Sequence, residues 1–350
     1  MIDPHCHLRD WNQSHKETLE HGFDIAYRAG LDGVFEMPNT DPALTSEETL
    51  IKRIEDADAA IGNLPLFHGI YAGITADEKQ IEEVVNAWNI YFPRVIGLKM
   101  FAGQSTGNMG LVDDTESSGE QKQMLVYKTL AELGYKGVLA VHCEKENLMK
   151  KEVWNPEQPY THCEARPPQA EVESILNQIE FAEKAGYKGT LHICHISDQS
   201  SISKVARAKE RVDFQITSGV TPHHCMLYDS MMDGENGLYL KMNPPLRTQK
   251  SMISMMMGLK GGVIDWIETD HAPHTKDDKL NRYSSGIPGF AFYPHFIKKL
   301  RENCTSETRI NQITHDKICD IFNFGIPNSH RDPDYDLFKE YEFNAFEKVL

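Results

Sequence analysis

The opening segment carries two histidines separated by one residue, His5-Cys6-His7, in a run of strand-like composition. A strand repeats its facing every two residues, so both imidazoles point to one side and can share a metal ion. Asn39, Lys99, His142, His195 and Asp270 each follow an apolar run, at places where a structural core would take Val or Leu. One buried histidine on one strand is an ordinary hydrogen-bonded core residue. Five polar strand ends are different, because burying that many polar groups without compensation costs several kcal/mol, and a metal centre supplies the compensation. In TLHICH, His192 and His195 are three apart and face opposite sides of a strand, which leaves His195, nearer the strand end, as the inward residue.

Lys99 fits such a centre only in another chemical form. Burial and nearby positive charge favour its neutral amine, and a neutral amine can add carbon dioxide to become a carbamate, an anion with two oxygens able to bridge two metals. Its alternative is an ordinary lysine reaching the barrel mouth or pairing with Asp270. With the bridge in place, His5, His7 and Asp270 are the expected ligands of one metal and His142 and His195 of the other, at the roughly 3.5–4 Å separation of two-metal hydrolytic sites. Imidazole and carboxylate ligands point to zinc, with manganese or cobalt as substitutes. Asp270 is then placed to accept a proton from a water activated at the centre and to hand it to a leaving nitrogen.

These residues need a scaffold that brings distant strand ends together. A local phrase recurs as AGLDGVFEMPN, LGYKGVLAVHC and AGYKGTLHICH, which reads as helix, glycine, tight turn and buried strand. The helix before the third spans 168–185, where Val172, Ile175, Leu176, Ile179 and Ala182 recur at helical spacing. Further strands are expected at IDPHCHL, 65–73, 94–101, 212–217 and 262–269, giving roughly eight that alternate with helices. Eight such units close into an α/β, (β/α)8 TIM-like barrel, with a doubly wound sheet as the competitor, and in a barrel the C-terminal strand ends share one mouth. The chain is expected to be one domain over 1–350, with 300–350 a peripheral C-terminal extension containing little signal beyond a helix near 292–302. A loop rich in Gly, Ser, Thr and Asp at 102–121 reads as a lid or as plain surface.

Composition excludes other roles. The 350 residues carry 36 Lys+Arg against 52 Asp+Glu, a formal charge of −16, which disfavours nucleic acid and anionic lipid as partners. No apolar run approaches the roughly 20 residues of a membrane span, and the first residues lack the order of a signal peptide, so a cytoplasmic location is expected. The seven cysteines are scattered without a C-x-x-C pair and read as reduced thiols.

DPHCHLRD, EMPNT, GLKMF, AVHCE, HICHIS, TPHH, KMNPPLR, TDHAPHT and SGIPGF occur in the order found in dihydroorotases of the amidohydrolase superfamily, spanning residues 3 to about 290. The chain resembles the type with a carbamylated lysine. The resemblance implies two zinc ions per chain bridged by carbamylated Lys99, and the same six ligands, His5, His7, Lys99, His142, His195 and Asp270, with Asp270 also the acid/base. It implies reversible interconversion of N-carbamoyl-L-aspartate and L-dihydroorotate in pyrimidine synthesis. Arg9, Asn39 and His274 match the family's binders of the ring carboxylate, Asn243 and the backbone of Gly289 its further substrate contacts, and Thr106 the threonine of its mobile loop. His192, His223, His224 and His271 read as hydrogen-bonders around the site or in the core. The first ligand is the fifth residue, so the small β-sandwich of many relatives is expected to be missing or vestigial, which leaves a homodimer or a monomer open. Hydantoinase, dihydropyrimidinase and allantoinase are the alternatives within the superfamily, and Arg9 and His274 argue against them. A non-catalytic barrel docked on aspartate transcarbamoylase is the alternative outside catalysis.

Overall fold

The computed structural model describes residues 1–103, 109, 111, 116–234 and 236–350. Eight parallel strands lie side by side in sequence order: β1 (Ile2–Cys6), β2 (Gly33–Glu36), β3 (Phe67–Gly73), β4 (Val95–Phe101), β5 (Val138–His142), β6 (Thr190–Ile193), β7 (Gln215–Val220) and β8 (Trp266–Ile267). The barrel closes just past β8, where His7 N donates to the His271 carbonyl at 2.7 Å and Asp270 N to the His5 carbonyl at 3.0 Å. Asp3 reinforces this seam by accepting from the backbone N–H of Thr269 at 2.9 Å and from the Thr269 hydroxyl. The expected (β/α)8 architecture is therefore present, and the open doubly wound sheet is excluded.

The local rules behind the strands hold. The helix Pro168–Ala185 ends at Gly186, whose φ of 70° lies in the left-handed region that an L side chain resists, and β6 follows after a short turn. Most strands fall within their expected segments, but β7 runs three residues past the expected 217, to Val220. The polar and small residues Ser218 and Gly219 look like a turn in sequence. In the fold Gly219 lies against the Glu268 carboxylate, where a Cβ would approach Oε2 to 2.1 Å, so the strand continues because that position has no side chain.

Two other expectations change. The segment 102–121 is not loop throughout, because a helix begins inside it and runs Glu116–Glu132. The chain after residue 300 is only partly peripheral. Helical turns over 307–322 pass beneath the barrel, and Ile318, Phe322 and Ile326 pack with Phe35, Tyr71 and Trp266 in a second core cluster. Among the described residues no helix is long and apolar enough to cross a membrane. All seven cysteines are free.

Candidate active site

At the C-terminal mouth of the barrel the strand ends enclose a cavity of about 180 Å3, lined by His5, His7, Lys99, His142, His195 and Asp270. Arg9, Asn39, Asn243 and His274 line the same cavity, so ten residues singled out in the sequence converge there. Gly289 does not line it. It opens the turn Gly289–Phe292 behind the wall, against the Thr269 carbonyl, and Gly286 lines the cavity instead. Thr106 lies outside the described residues.

The ligand candidates are held by named partners. His7 Nδ1 sits 2.5 Å from Asn39 Oδ1, and with that proton donated to the amide oxygen, Nε2 turns a lone pair toward Asp270 Oδ1 at 2.9 Å. Burial brings His7 down to about 4 against the pull of Asp270, so at neutral pH two acceptors face one another. His142 repeats the arrangement: Nε2 donates to Glu144 at 2.8 Å, Glu144 is paired with Arg166, and Nδ1 faces His195 Nε2 at 3.2 Å. A carboxylate that holds the outer N–H is the usual second partner of a metal-binding histidine. His5 has both ring nitrogens buried without a hydrogen bond among the described residues, though Glu268 Oε1 lies 3.4 Å from Nδ1 and Asp270 Oδ1 3.5 Å from Nε2. Burial and Lys99 oppose a proton on His5, but Cys194 and Glu268 outweigh them and lift its pKa to about 10, so this spot favours positive charge.

Donor atoms of His5, His7 and Asp270 lie within 4.8 Å of one another, and so do those of His5, Cys194 and His195. Acceptors turned toward acceptors, and imidazole nitrogens buried without partners, are relieved by cations, and the imidazole and carboxylate donors suit zinc. Lys99 is fully buried and its Nζ lies 3.0 Å from Cys194 Sγ. Two of the strand ends carry unusual backbone: His195 has φ 30° and Asp270 φ 48°. Burial raises the Asp270 carboxyl and the nearby His5 charge lowers it, with the balance well on the low side, so it is ionised at neutral pH.

The opposite wall is cationic. Arg9 is buried, its Nε donates to the Pro273 carbonyl at 3.2 Å, and Nη2 lies 3.3 Å from His274 Nε2. No carboxylate among the described residues pairs with it. Asn243 Oδ1 is 3.1 Å from His162 Nε2. His192 bonds Thr217 and Glu268, His224 bonds Thr221 and the Pro244 carbonyl, and His271 bonds Glu17, as expected of residues around the site. His223 departs from that expectation, since neither ring nitrogen has a hydrogen-bond partner among the described residues.

Sequence reasoning missed Gln13, Lys16 and Ser285 in the cavity wall, and Cys194 and Glu268 beneath it. The signal for Gln13 and Lys16 is their place in the loop that follows β1, because such loops build the mouth of a barrel. Glu268 stands two residues before Asp270, directly after β8.

Comparison with known proteins agrees with the geometry. The chain is 30% identical over 340 residues to the dihydroorotase of Lactobacillus gasseri, covering 94% of this chain and 74% of that protein. It is 32% identical over 344 residues to the dihydroorotase of Staphylococcus aureus, covering 92% and 73%. No family model matches. Among solved structures, the L-hydantoinase (dihydropyrimidinase) of Arthrobacter aurescens superposes with a TM-score of 0.78 at 19% identity, over 94% of this chain and 73% of that one. The D-hydantoinase of a Thermus species gives 0.72 at 22% identity, over 92% and 70%, and these two likenesses speak for the fold alone. With relatives at this identity matched over nine-tenths of its length, the chain belongs to the dihydroorotase family of cyclic amide hydrolases.

Proposed function

We propose that the protein interconverts N-carbamoyl-L-aspartate and L-dihydroorotate, and that the residues gathered at the barrel mouth carry out the reaction. His5, His7 and Asp270 would hold one zinc ion, His142 and His195 a second, and Lys99, as its carbamate, would lie between them. When bound, the two metals supply positive charge that polarises the ring amide and acidifies water. Arg9 grips the substrate carboxylate with His274 and Asn39 beside it, and its guanidinium, which has no carboxylate partner among the described residues, is suited to a two-point contact. Asp270, ionised at neutral pH, takes the proton from the attacking water and returns it to the ring nitrogen as the amide opens; ring closure runs the same transfers backwards. Asn243 contributes a polar contact at the rim. A cytoplasmic location and a single barrel domain complete this reading, for which the free cysteines and the one continuous sheet speak.

The observation that carries the proposal is Arg9, a buried guanidinium without a carboxylate partner among the described residues, set in the cavity whose other wall is the His–Asp cluster. An uncarboxylated ureide would leave that charge unmatched. The test is steady-state turnover of zinc-supplied protein on L-dihydroorotate, dihydrouracil, hydantoin and allantoin, with bound metal quantified in the same sample. Turnover of L-dihydroorotate alone with about two metals per chain is expected. Preference for an uncarboxylated ring sinks the substrate assignment, and a metal-free, inert protein sinks catalysis altogether.

A further inference from the structure

Arg9 is not alone in the cavity. Lys16 lines the same wall, and among the described residues its ammonium makes no ion pair and no hydrogen bond. Several other cations with little or moderate exposure have a carboxylate, Arg53 with Glu36, Arg166 with Glu144 and Lys209 with Asp265, and the buried Lys241 and Lys279 have hydroxyl or carbonyl acceptors. Two unmatched cations facing one cavity repel each other, and burial together with the Arg9 charge makes Lys16 easier to deprotonate than an ordinary lysine. The loop also holds Lys16 in place. Asp10 N donates to the Glu17 carbonyl at 2.9 Å, closing the segment on itself, and Lys16 N donates to the Gln13 carbonyl at 2.9 Å. Gln13 lines the cavity as well, and its Oε1 is buried without a partner. The segment 10–17 thus offers an ammonium and an amide oxygen, a cation and an acceptor, with no partner for either among the described residues.

On the dihydroorotase reading, the two ends of the reaction differ in charge: the open chain has two carboxylates and the ring has one. We infer that Lys16 is a specificity-determining residue which, beside Arg9, favours the doubly charged open-chain ligand over the singly charged ring, while Gln13 accepts from a ligand N–H. A cation at the wall acts on the whole ligand charge, so its removal weakens a dianion more than a monoanion.

The test uses N-acetyl-L-aspartate and N-acetyl-L-alanine, which differ by one carboxylate and cannot cyclise. Their dissociation constants are measured by titration on the zinc-loaded full chain, wild type and Lys16→Met, with Lys16→Arg as the charge-conserving control. The wild type is expected to prefer the dianion. Lys16→Met is expected to weaken the dianion about tenfold and the monoanion about threefold or less, and Lys16→Arg to keep the preference. Equal weakening of both ligands by Lys16→Met, or a wild type indifferent to the second carboxylate, overturns the inference. Because binding is read without turnover, failure of L-dihydroorotate to react would sink the proposed function separately.

Discussion

In the proposed reaction Arg9 and Asp270 divide the chemistry between recognition and proton transfer. Arg9→Met is expected to lower kcat/KM for L-dihydroorotate by about 10- to 100-fold, the loss of a charge-assisted contact of roughly 1.5–3 kcal/mol. Inhibition by dihydrouracil, which has no carboxylate, should stay within about threefold. An equal loss for both ligands would mean that Arg9 merely shapes the cavity. Lys99, His142, His195 and Asp270 were legible as ligand candidates because each is a polar residue following an apolar run, a pattern that core packing does not produce, and His5 and His7 because their spacing turns both to one face of a strand. Lys16 and Gln13 were not legible. Their residue types are ordinary in any surface loop, and only the fold shows that this loop turns its side chains inward. Gly289 carries a motif that matches the family, but the cavity wall at that point is made three residues earlier, by Gly286.

At the level of elements, the site depends on a charge cluster beneath it. Arg53, on the helix Glu47–Ile61, lies fully buried with both Glu36 oxygens 3.1 Å from its Nε, and its Nη2 donates to the carbonyls of Leu8 at 3.2 Å and Arg9 at 2.7 Å. One guanidinium therefore ties β2, its following helix and the chain just past the two histidines. Burial alone would raise the Glu36 carboxyl, but Arg53 and His68 outweigh it and hold its pKa below the usual value. A carboxylate with a depressed folded-state pKa adds stability above its unfolded pKa and loses it as the pH falls through the folded one. Stability should thus decline on acidification below about pH 4.5. Glu36→Gln, which strands a buried guanidinium, should cost about 3–5 kcal/mol at neutral pH and flatten that acid limb. Urea unfolding across pH checks both, and an unchanged acid limb would clear Glu36 of the role. The strands themselves were readable from their apolar runs and terminal glycines. This cluster was not, because Glu36 and Arg53 stand 17 residues apart on elements whose facing only the fold supplies.

Over the whole molecule, the chemistry sits at one end of the barrel and a stabilising plug at the other. Phe322 packs with edge-on rings against Phe35 at 5.0 Å and Tyr71 at 6.3 Å, closing the bottom far along the chain from the strands it covers. Phe322→Ala should therefore lower stability by about 3–5 kcal/mol. Below the unfolding transition kcat should stay unchanged, and thermal unfolding run beside activity separates the two; a proportional loss of kcat would show that the plug reaches the site. The sequence after residue 300 looked like an outer tail because its polar residues outnumber the apolar ones, and periodicity does not reveal that a few apolar side chains meet a distant core. The eightfold alternation was visible because each unit is local.

The left-handed backbone at His195 and Asp270 has a consequence over evolutionary time. Such a conformation strains a residue with a Cβ by roughly 1–2 kcal/mol, and glycine carries no such strain. Replacing either residue with glycine would discard a proposed metal ligand and relax the main chain in one step. Mutational drift in a lineage that no longer needs the enzyme would then run toward an inert barrel that folds at least as well, and only selection on turnover keeps these two positions as they are.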